Sequence, residues 1–597
     1  MKSIAPSLRA QLKHEPVPLK FGTSGRRGLV ADLTQLEVYL NATAELEYLQ
    51  SLPPSAGGIV RGEQFYFASD LRPSSSAVVN ERGPRGGIAQ AICQAISDSG
   101  MQPVFLGRIP TPALASFALS RGKGSMMVTG SHIPFDRNGY KTNTSRGELL
   151  KRDEAPIQAR SEQVRARLYA QPASESLFDG DGMFRAAVTL PPETAEAAEA
   201  YLRRYTDFFA GQSLAGRRLL VYQHSAVGRD LLVELLRRLG AEVIPAGRSE
   251  TFVPIDTEAI DAEQLRAMQQ LAADAWQNFG PLDAVVSTDG DSDRPLVLGV
   301  EPATGPEAPC RVRFFGGDLV GMVVAEFLQA DAVVVPVSCN DALDRGALKD
   351  VVEPKTRIGS PFVIAGMELA QARGRKAVCG WEANGGFLLG SPLERAGRTL
   401  AALPTRDAFL PVLAVLLRAQ AEKCSVTALF DRLPRRFSKA SLLRNFPRAT
   451  SLRMLAGFSP RDPSVENVSF PADTAPDLAK IRDELESFFP AQLGFGRIAR
   501  LNYTDGVRIY FTNGDVAHLR PSGNADELRI YAVADSKARA DEIARLGVSE
   551  PDGILRRMAA AANTARAAEL IMSYKHKPKP LVIEGVVQHY GWGGHHF

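Results

Sequence analysis

Residues 87–130 read GIAQAICQAISDSGMQPVFLGRIPTPALASFALSRGKGSMMVTG, and the succession of periods within them decides the fold class. Ile88, Ala91, Ile92, Ala95 and Ile96 recur at helical spacing and give a helix over 87–99 one apolar face. A short extended run follows at 103–106. A second helical stretch, 113–119, leads to the apolar run Met126-Met127-Val128, which stops at Thr129-Gly130. A run that is apolar on both faces fits a strand covered by helices on both sides.

Outward from this stretch the alternation returns. Strand, helix and strand patterns occupy 218–222, 230–239 and 242–245. A strand follows at 282–287, a helix at 318–328, a strand at 332–337 and another around 376–379. This is the α/β pattern, with mostly buried parallel or mixed strands. From about 445 to 550 the reading changes: a helix over 475–489, strands at 506–511 and 528–533, and a helix over 536–546 describe a smaller α+β unit. At 597 residues the chain is too long for one core, and roughly three to five domains are expected. Polar or proline-rich breaks near 155–185, 301–311 and 433–470 give α/β domains over 1–165, 180–305 and 306–435, an α+β domain over 460–565 and a tail over 570–597.

Composition narrows the function. The 70 basic and 67 acidic residues nearly cancel. No basic block or aromatic-interleaved stripe appears, so nucleic acid is not an expected partner. No apolar run approaches the roughly 18 residues of a membrane span, and the N-terminal 20 residues have no apolar centre of a signal peptide. Cys93, Cys310, Cys339, Cys379 and Cys424 are odd in number and widely spaced. They read as reduced, buried thiols of a cytoplasmic protein.

Five loops carry the chemistry. In Thr288-Asp289-Gly290-Asp291-Ser292-Asp293-Arg294 three carboxylates alternate after a strand, so they can converge on one hard cation, and the glycine allows a tight turn. A calcium loop would need glycine where Arg294 stands and glutamate where Val300 stands, which leaves magnesium with an open position for a phosphate oxygen. Thr129-Gly130-Ser131-His132-Ile133-Pro134 presents a serine on a stiff turn, with Lys141 downstream. Lys20 to Gly28, KFGTSGRRG, is a glycine-rich basic turn without P-loop spacing. Arg520-Pro521-Ser522-Gly523-Asn524, with Arg529 beyond, offers guanidinium, hydroxyl and backbone donors to a phosphate. Gly380-Trp381-Glu382-Ala383-Asn384-Gly385-Gly386 offers a carboxylate and an amide to sugar hydroxyls. Each of the last four, taken alone, also reads as an ordinary turn.

In this order the five loops resemble the α-D-phosphohexomutase superfamily, from about residue 20 to 546. The resemblance implies a four-domain architecture, three related α/β domains plus a smaller α+β C-terminal domain. It implies an enzyme that moves phosphate between C1 and C6 of a hexose, an intramolecular phosphotransferase of the isomerase class. Ser131 would be the phosphoserine, with Lys141, Arg27 and His132 beside it in the catalytic group. Asp289, Asp291 and Asp293 would hold Mg²⁺. Arg294, Thr356, Gly359, Glu382 and Asn384 would meet the sugar, and Arg520, Ser522, Gly523, Asn524 and Arg529 the phosphate that is not being transferred. Ser69-Asp70-Leu71-Arg72 would be a structural turn of the first domain. Hexose 1,6-bisphosphate would serve as intermediate and activator, and hexose phosphates as the small-molecule partners.

Four positions depart from the family pattern. Ile133 stands for a usual asparagine, Gly386 for a histidine that often ends the sugar loop, Ser360 for a histidine after Gly359, and Asn524-Ala525-Asp526 for Thr-Glu-Pro. They bear on sugar recognition. The tail 580–594, PLVIEGVVQHYGWGG, resembles the opening strand of mannose-6-phosphate isomerases and favours mannose, through fusion or association with such an isomerase. A tail that packs on its own domain is the other reading. The expected activity is therefore phosphomannomutase, with phosphoglucomutase or dual specificity as the alternative and a non-catalytic sugar-phosphate-binding protein as a remote one.

Overall fold

The structure, a computed structural model, describes residues 6–22, 24–258, 260–303, 309–471, 474–522 and 526–563. The tail over 570–597, with its isomerase-like stretch, and the expected phosphate ligands Gly523 and Asn524 lie outside the described residues.

The first unit is a seven-stranded mixed sheet. Gln64–Ser69 runs parallel to Gln102–Arg108 and Ser125–Val128, and Ser125–Val128 pairs antiparallel with Arg137–Thr144. The helix Ile88–Asp98 buries the apolar positions that its spacing predicts. The second sheet has five strands. Glu242–Arg248, Arg218–His224 and Ala284–Thr288 are parallel, and Pro295–Pro302 and Cys310–Phe315 complete it antiparallel. The third has four, in which Ala332–Val334 lies parallel to Val378–Trp381, followed antiparallel by Phe387–Leu389 and Leu403–Asp407.

One device recurs in all three. A parallel central strand ends, a loop follows, and the chain returns antiparallel. In the first unit the loop after Val128 holds Ser131, with Val128 opposite Tyr140. In the second, Thr288 faces Pro295 across the metal loop, and in the third Trp381 faces Phe387 across the sugar loop. The chemistry-bearing loops of the three α/β units thus occupy one topological position, at the carboxyl ends of parallel strands where open α/β sheets place ligands.

The fourth unit is a six-stranded antiparallel sheet ordered Phe437–Leu443, Leu528–Ala534, Val516–Pro521, Val507–Phe511, Ile498–Asn502 and Asn467–Ser469. Sequence reading finds two of these strands. Phe437–Leu443 and Asn467–Ser469 are edge strands with mixed polar composition and weak alternation, so periodicity does not mark them. Domain boundaries move accordingly. Cys310–Phe315, given to the third unit by a boundary at 306, belongs to the second sheet. Phe437–Leu443 starts the fourth sheet ahead of residue 460. The helix Lys151–Ala170 runs through the break placed at 155, because its polar face is solvent-exposed while Ile157, Val164 and Leu168 are buried.

The first three units share a continuous apolar core that joins Tyr66 and Leu114 to Tyr201, Leu219, Trp381 and Phe409. The fourth has its own core around Leu519, Ile530 and Ile543. Much of what ties it to the third unit is polar: Arg436 bridges Asp341 and Asp535, and Arg508 donates to the Cys339 carbonyl. Cys93, Cys310, Cys339 and Cys379 are buried, Cys424 is half-buried, and all five are free thiols. Among the described residues no helix is long and apolar enough to cross a membrane.

Candidate active site

Ser131 has φ of +53°, a left-handed conformation uncommon outside glycine. The surroundings that hold it there come from the Ser69 to Arg72 turn. The Arg72 guanidinium donates to the carbonyls of Ser131, Ile133, Pro134 and Arg137, and lies 3.8 Å over the ring of Phe252 from the second unit. Asp70 accepts from the Gly130 and Arg72 amides, and the Ser131 amide donates to Thr129 Oγ1 over 2.7 Å. A sequence read as a structural turn is therefore the mould of the serine loop. Strain of this kind persists only where the surroundings over-determine it, and here they hold the Ser131 turn in one conformation.

The hydroxyl points at the metal loop: Ser131 Oγ donates to Asp289 Oδ2 over 2.8 Å. Asp289, Asp291 and Asp293 are buried and present oxygens within 4.8 Å of one another. The left-handed residue of this turn is Ser292, with φ of +57°, rather than Gly290. Gly290 is required for close approach, because a Cβ there would lie 2.7 Å from the Ser131 carbonyl oxygen. Thr111 Oγ1 donates to Asp291 Oδ2 over 2.6 Å, and Lys141 Nζ reaches Asp291 Oδ2 at 2.8 Å and Asp293 Oδ2 at 2.6 Å. Burial and the neighbouring Asp291 and Asp293 push Asp289 well above the carboxylate range, against the pull of Arg294. Asp291 Oδ1 and Asp293 Oδ1 are buried without a hydrogen bond. Hard oxygen donors, crowded negative charge and two unsatisfied carboxylate oxygens fit a magnesium ion, whose charge would relieve both defects.

The remaining expected catalytic groups gather here. Arg27 donates to the carbonyls of Arg26 and Tyr140, and burial brings its guanidinium down to about 10. His132 Nδ1 lies 3.4 Å from Ser131 Oγ. Burial and then the Arg294 charge pull its imidazole down to about 3, so it is neutral at pH 7. Arg294 Nε stands 3.8 Å from Asp289 Oδ2 and 3.6 Å from Asp293 Oδ1.

The sugar loop meets the metal loop through a residue that the sequence did not mark. Arg406 Nη1 donates to Glu382 Oε2 over 3.0 Å and its Nε to Asp293 Oδ2 over 3.1 Å. Asn384 accepts from the Gly386 amide with its side-chain oxygen, and its carbonyl accepts from Thr257 of the second unit. Thr356 and Gly359 lie on the loop entering the helix Ser360–Ala372. That loop is tied to the fourth unit, since Arg357 Nε donates to the Thr504 carbonyl and the Ile358 amide to Asp505 Oδ2. Arg520 Nε donates to the same Asp505 oxygen over 3.1 Å.

Arg520 and Arg529 are cross-strand partners in the fourth sheet. Like charges in that relation repel, so the pair calls for anions. Asp505 serves Arg520, Glu527 serves Arg529 at 3.3 Å, and the Ser522 amide donates to the Glu527 carbonyl. Two adjacent guanidiniums at a loop form a natural phosphate clamp. Sequence reading leaves Thr111, Asp505 and Arg406 out of the site, and gives Asp70 and Arg72 only as a structural turn. Each acts on groups distant in sequence, and none belongs to a motif that announces that contact.

Two buried histidines outside the reacting group set an acid limit. Burial, with Arg508 adding to it, pulls His518 down to about 3; burial pulls His224 down to about 4, against its bond to the Thr288 carbonyl. The unfolded chain binds protons near pH 6.5 that these folded residues refuse. Stability from this source is complete above that pH and is lost as pH falls toward 4. At pH 5 the loss is about 2 kcal/mol per histidine. Thermal melts should fall steadily from pH 7 to 5, and His518→Gln should flatten the slope; an unchanged melt over that range would count against buried neutral imidazoles.

Four family models match the chain in order. They are phosphoglucomutase/phosphomannomutase alpha/beta/alpha domains I, II and III over residues 18–167, 199–301 and 316–437, and the C-terminal domain over 471–546. A phosphomannomutase of Sinorhizobium fredii is 36% identical over 533 residues, 89% of this chain and 98% of the relative. One of Salmonella muenchen is 38% identical over 532 residues, 88% of this chain and 94% of the relative. The crystal structure of a phosphoglucomutase/phosphomannomutase family protein from Burkholderia thailandensis shares the fold. Its TM-score is 0.58 at 18% identity, covering 91% of this chain and 97% of the other. With its four domains matched in order, this chain belongs to the phosphoglucomutase/phosphomannomutase family.

Proposed function

We propose that this enzyme is a phosphomannomutase that interconverts mannose 6-phosphate and mannose 1-phosphate through a phosphoserine at Ser131 and a hexose 1,6-bisphosphate. The observation that carries the reading is Ser131 Oγ at 2.8 Å from Asp289 Oδ2, on a strained turn, beside Lys141. The curated relatives at 36% and 38% identity, both phosphomannomutases, support the sugar.

Asp289, Asp291 and Asp293 would hold Mg²⁺, which when bound supplies positive charge to the transferring phosphoryl oxygens. The chain's own groups do the rest. Ser131 carries the phosphoryl group; its Oγ–P bond breaks as the free sugar hydroxyl forms a new bond to phosphorus. The hydroxyl gives up its proton as the new bond forms and Ser131 Oγ takes one up as it leaves; the neutral His132, 3.4 Å from Oγ, is placed to relay it, while Lys141, donating to Asp291 and Asp293, adds positive charge. Arg27 and Arg294 balance the charge that spreads over the equatorial oxygens. The bisphosphate then turns end for end, and its other phosphate returns to Ser131. Arg520, Ser522 and Arg529, with Gly523 and Asn524, would hold whichever phosphate is not reacting. Holding that phosphate against the fourth unit shields the phosphoserine from water.

The test is direct conversion with Mg²⁺ and a trace of hexose 1,6-bisphosphate, comparing mannose 1-phosphate with glucose 1-phosphate and reading the 6-phosphates. The expected result is conversion of mannose 1-phosphate at the higher kcat/KM. Faster glucose turnover would reassign the sugar, and no conversion of either would reject the mutase reading.

A further inference from the structure

Gly386 and Arg406 are bound to each other by space. A Cβ built at residue 386 would lie 2.4, 2.7 and 3.1 Å from Cδ, Cγ and Cβ of Arg406. These atoms are the side-chain stem from Cβ to Cδ, which cannot move aside without carrying the guanidinium with it. The φ of Gly386 lies outside the left-handed region, so the demand for glycine there comes from the space that the Arg406 stem fills and not from backbone strain. The side chain that passes through this gap is buried and joins two loops from different units: Nε to Asp293 of the metal loop, Nη1 to Glu382 of the sugar loop.

The residues on either side of Arg406 are anchored by their side chains. Thr405 Oγ1 donates to Glu148 of the first unit over 2.6 Å, and Asp407 accepts from Tyr201 and Tyr205 of the second. The strand Leu403–Asp407 therefore presents Arg406 from a fixed base at the junction of three units. A guanidinium is suited to this because its planar fork can serve two carboxylates at once, which an ammonium on a flexible stem does poorly.

We propose that Arg406 is a positioning residue that locks the sugar-loop carboxylate Glu382 to the metal-loop carboxylate Asp293, and that Gly386 is small in order to let it through. The sugar half of this role rests on the phosphohexomutase reading of Glu382. The absence of a side chain at 386 is then one half of a two-residue device, rather than a simple loss from the sugar loop.

A double-mutant cycle tests it, in the full chain carrying Ser131→Ala so that no turnover intervenes. Calorimetry would read two dissociation constants, for Mg²⁺ alone and for mannose 1-phosphate at saturating Mg²⁺. Gly386→Ala should weaken the sugar phosphate about tenfold and shift the Mg²⁺ constant at least about threefold, and Arg406→Ala should shift each in the same direction. Adding Gly386→Ala to Arg406→Ala should then change either constant by less than about twofold, because the clash has gone. Arg406→Ala strands two buried carboxylates and is the variant at risk of misfolding; Gly386→Ala keeps every charge and can decide the matter by itself. Unchanged constants in Gly386→Ala, or effects that add, would overturn the proposal. A parent that binds neither mannose 1-phosphate nor glucose 1-phosphate would reject the mutase reading, and the Mg²⁺ arm would then decide the bridge by itself.

Discussion

Ser131→Ala should lower conversion of mannose 1-phosphate by at least about 10⁴-fold while leaving the fold intact, since losing an obligatory nucleophile removes most of a catalyst's advantage. The loop is shaped by backbone groups that alanine retains. The Ser131 amide still donates to Thr129, its carbonyl still accepts from Arg72, and the left-handed φ strains serine and alanine alike. What disappears is the hydroxyl beside Asp289. Intact mass after incubation with hexose 1,6-bisphosphate should show one added phosphate on the parent and none on the variant. Residual conversion above about one per cent of the parent rate would mean that another group carries the phosphate.

The largest stability effect should come from Arg26→Met, at about 3–5 kcal/mol, the range for breaking one side of a buried ion pair. Arg26 and Glu45 are fully buried, with Nε 2.6 Å from Oε1. The other guanidinium nitrogens donate to the Leu19 carbonyl and to Ser161, and the guanidinium carbon lies 4.0 Å from the centre of the Phe21 ring. Glu45 in turn accepts from Thr142 and Tyr140, the residues on either side of Lys141. Methionine would fill the space of the stem but leave the carboxylate without its cation. Denaturant titration of the full chain should show early loss of the first unit, and a change below about 1 kcal/mol would mean that the pair is not a structural element.

How much of this could be read before folding differs from loop to loop. The α/β class was legible because buried parallel strands write continuous apolar runs between amphipathic helices, as 87–130 shows. The metal loop was legible because its three carboxylates lie within five residues, so local chain geometry is enough to bring them together. The serine, sugar and phosphate loops could be named only through their order along the chain, since each alone is an ordinary turn. The edge strands of the fourth unit were not legible, because half-exposed polar strands carry little periodic signal.

Sequence by itself determined the class of fold, the succession of loops and the residue types available at each. Tertiary structure alone decided which of them meet. It put Ser131 against Asp289 across 158 positions and Lys141 against Asp291 and Asp293 across 150 and 152. It ran Arg406 past a glycine to join Glu382 with Asp293. It also set Arg520 beside Arg529 by strand register. The physical reason is that periodicity and turn chemistry act over a few residues, whereas charge pairing and steric exclusion act through space. A contact between loops at the ends of different sheets has no local pattern to record it.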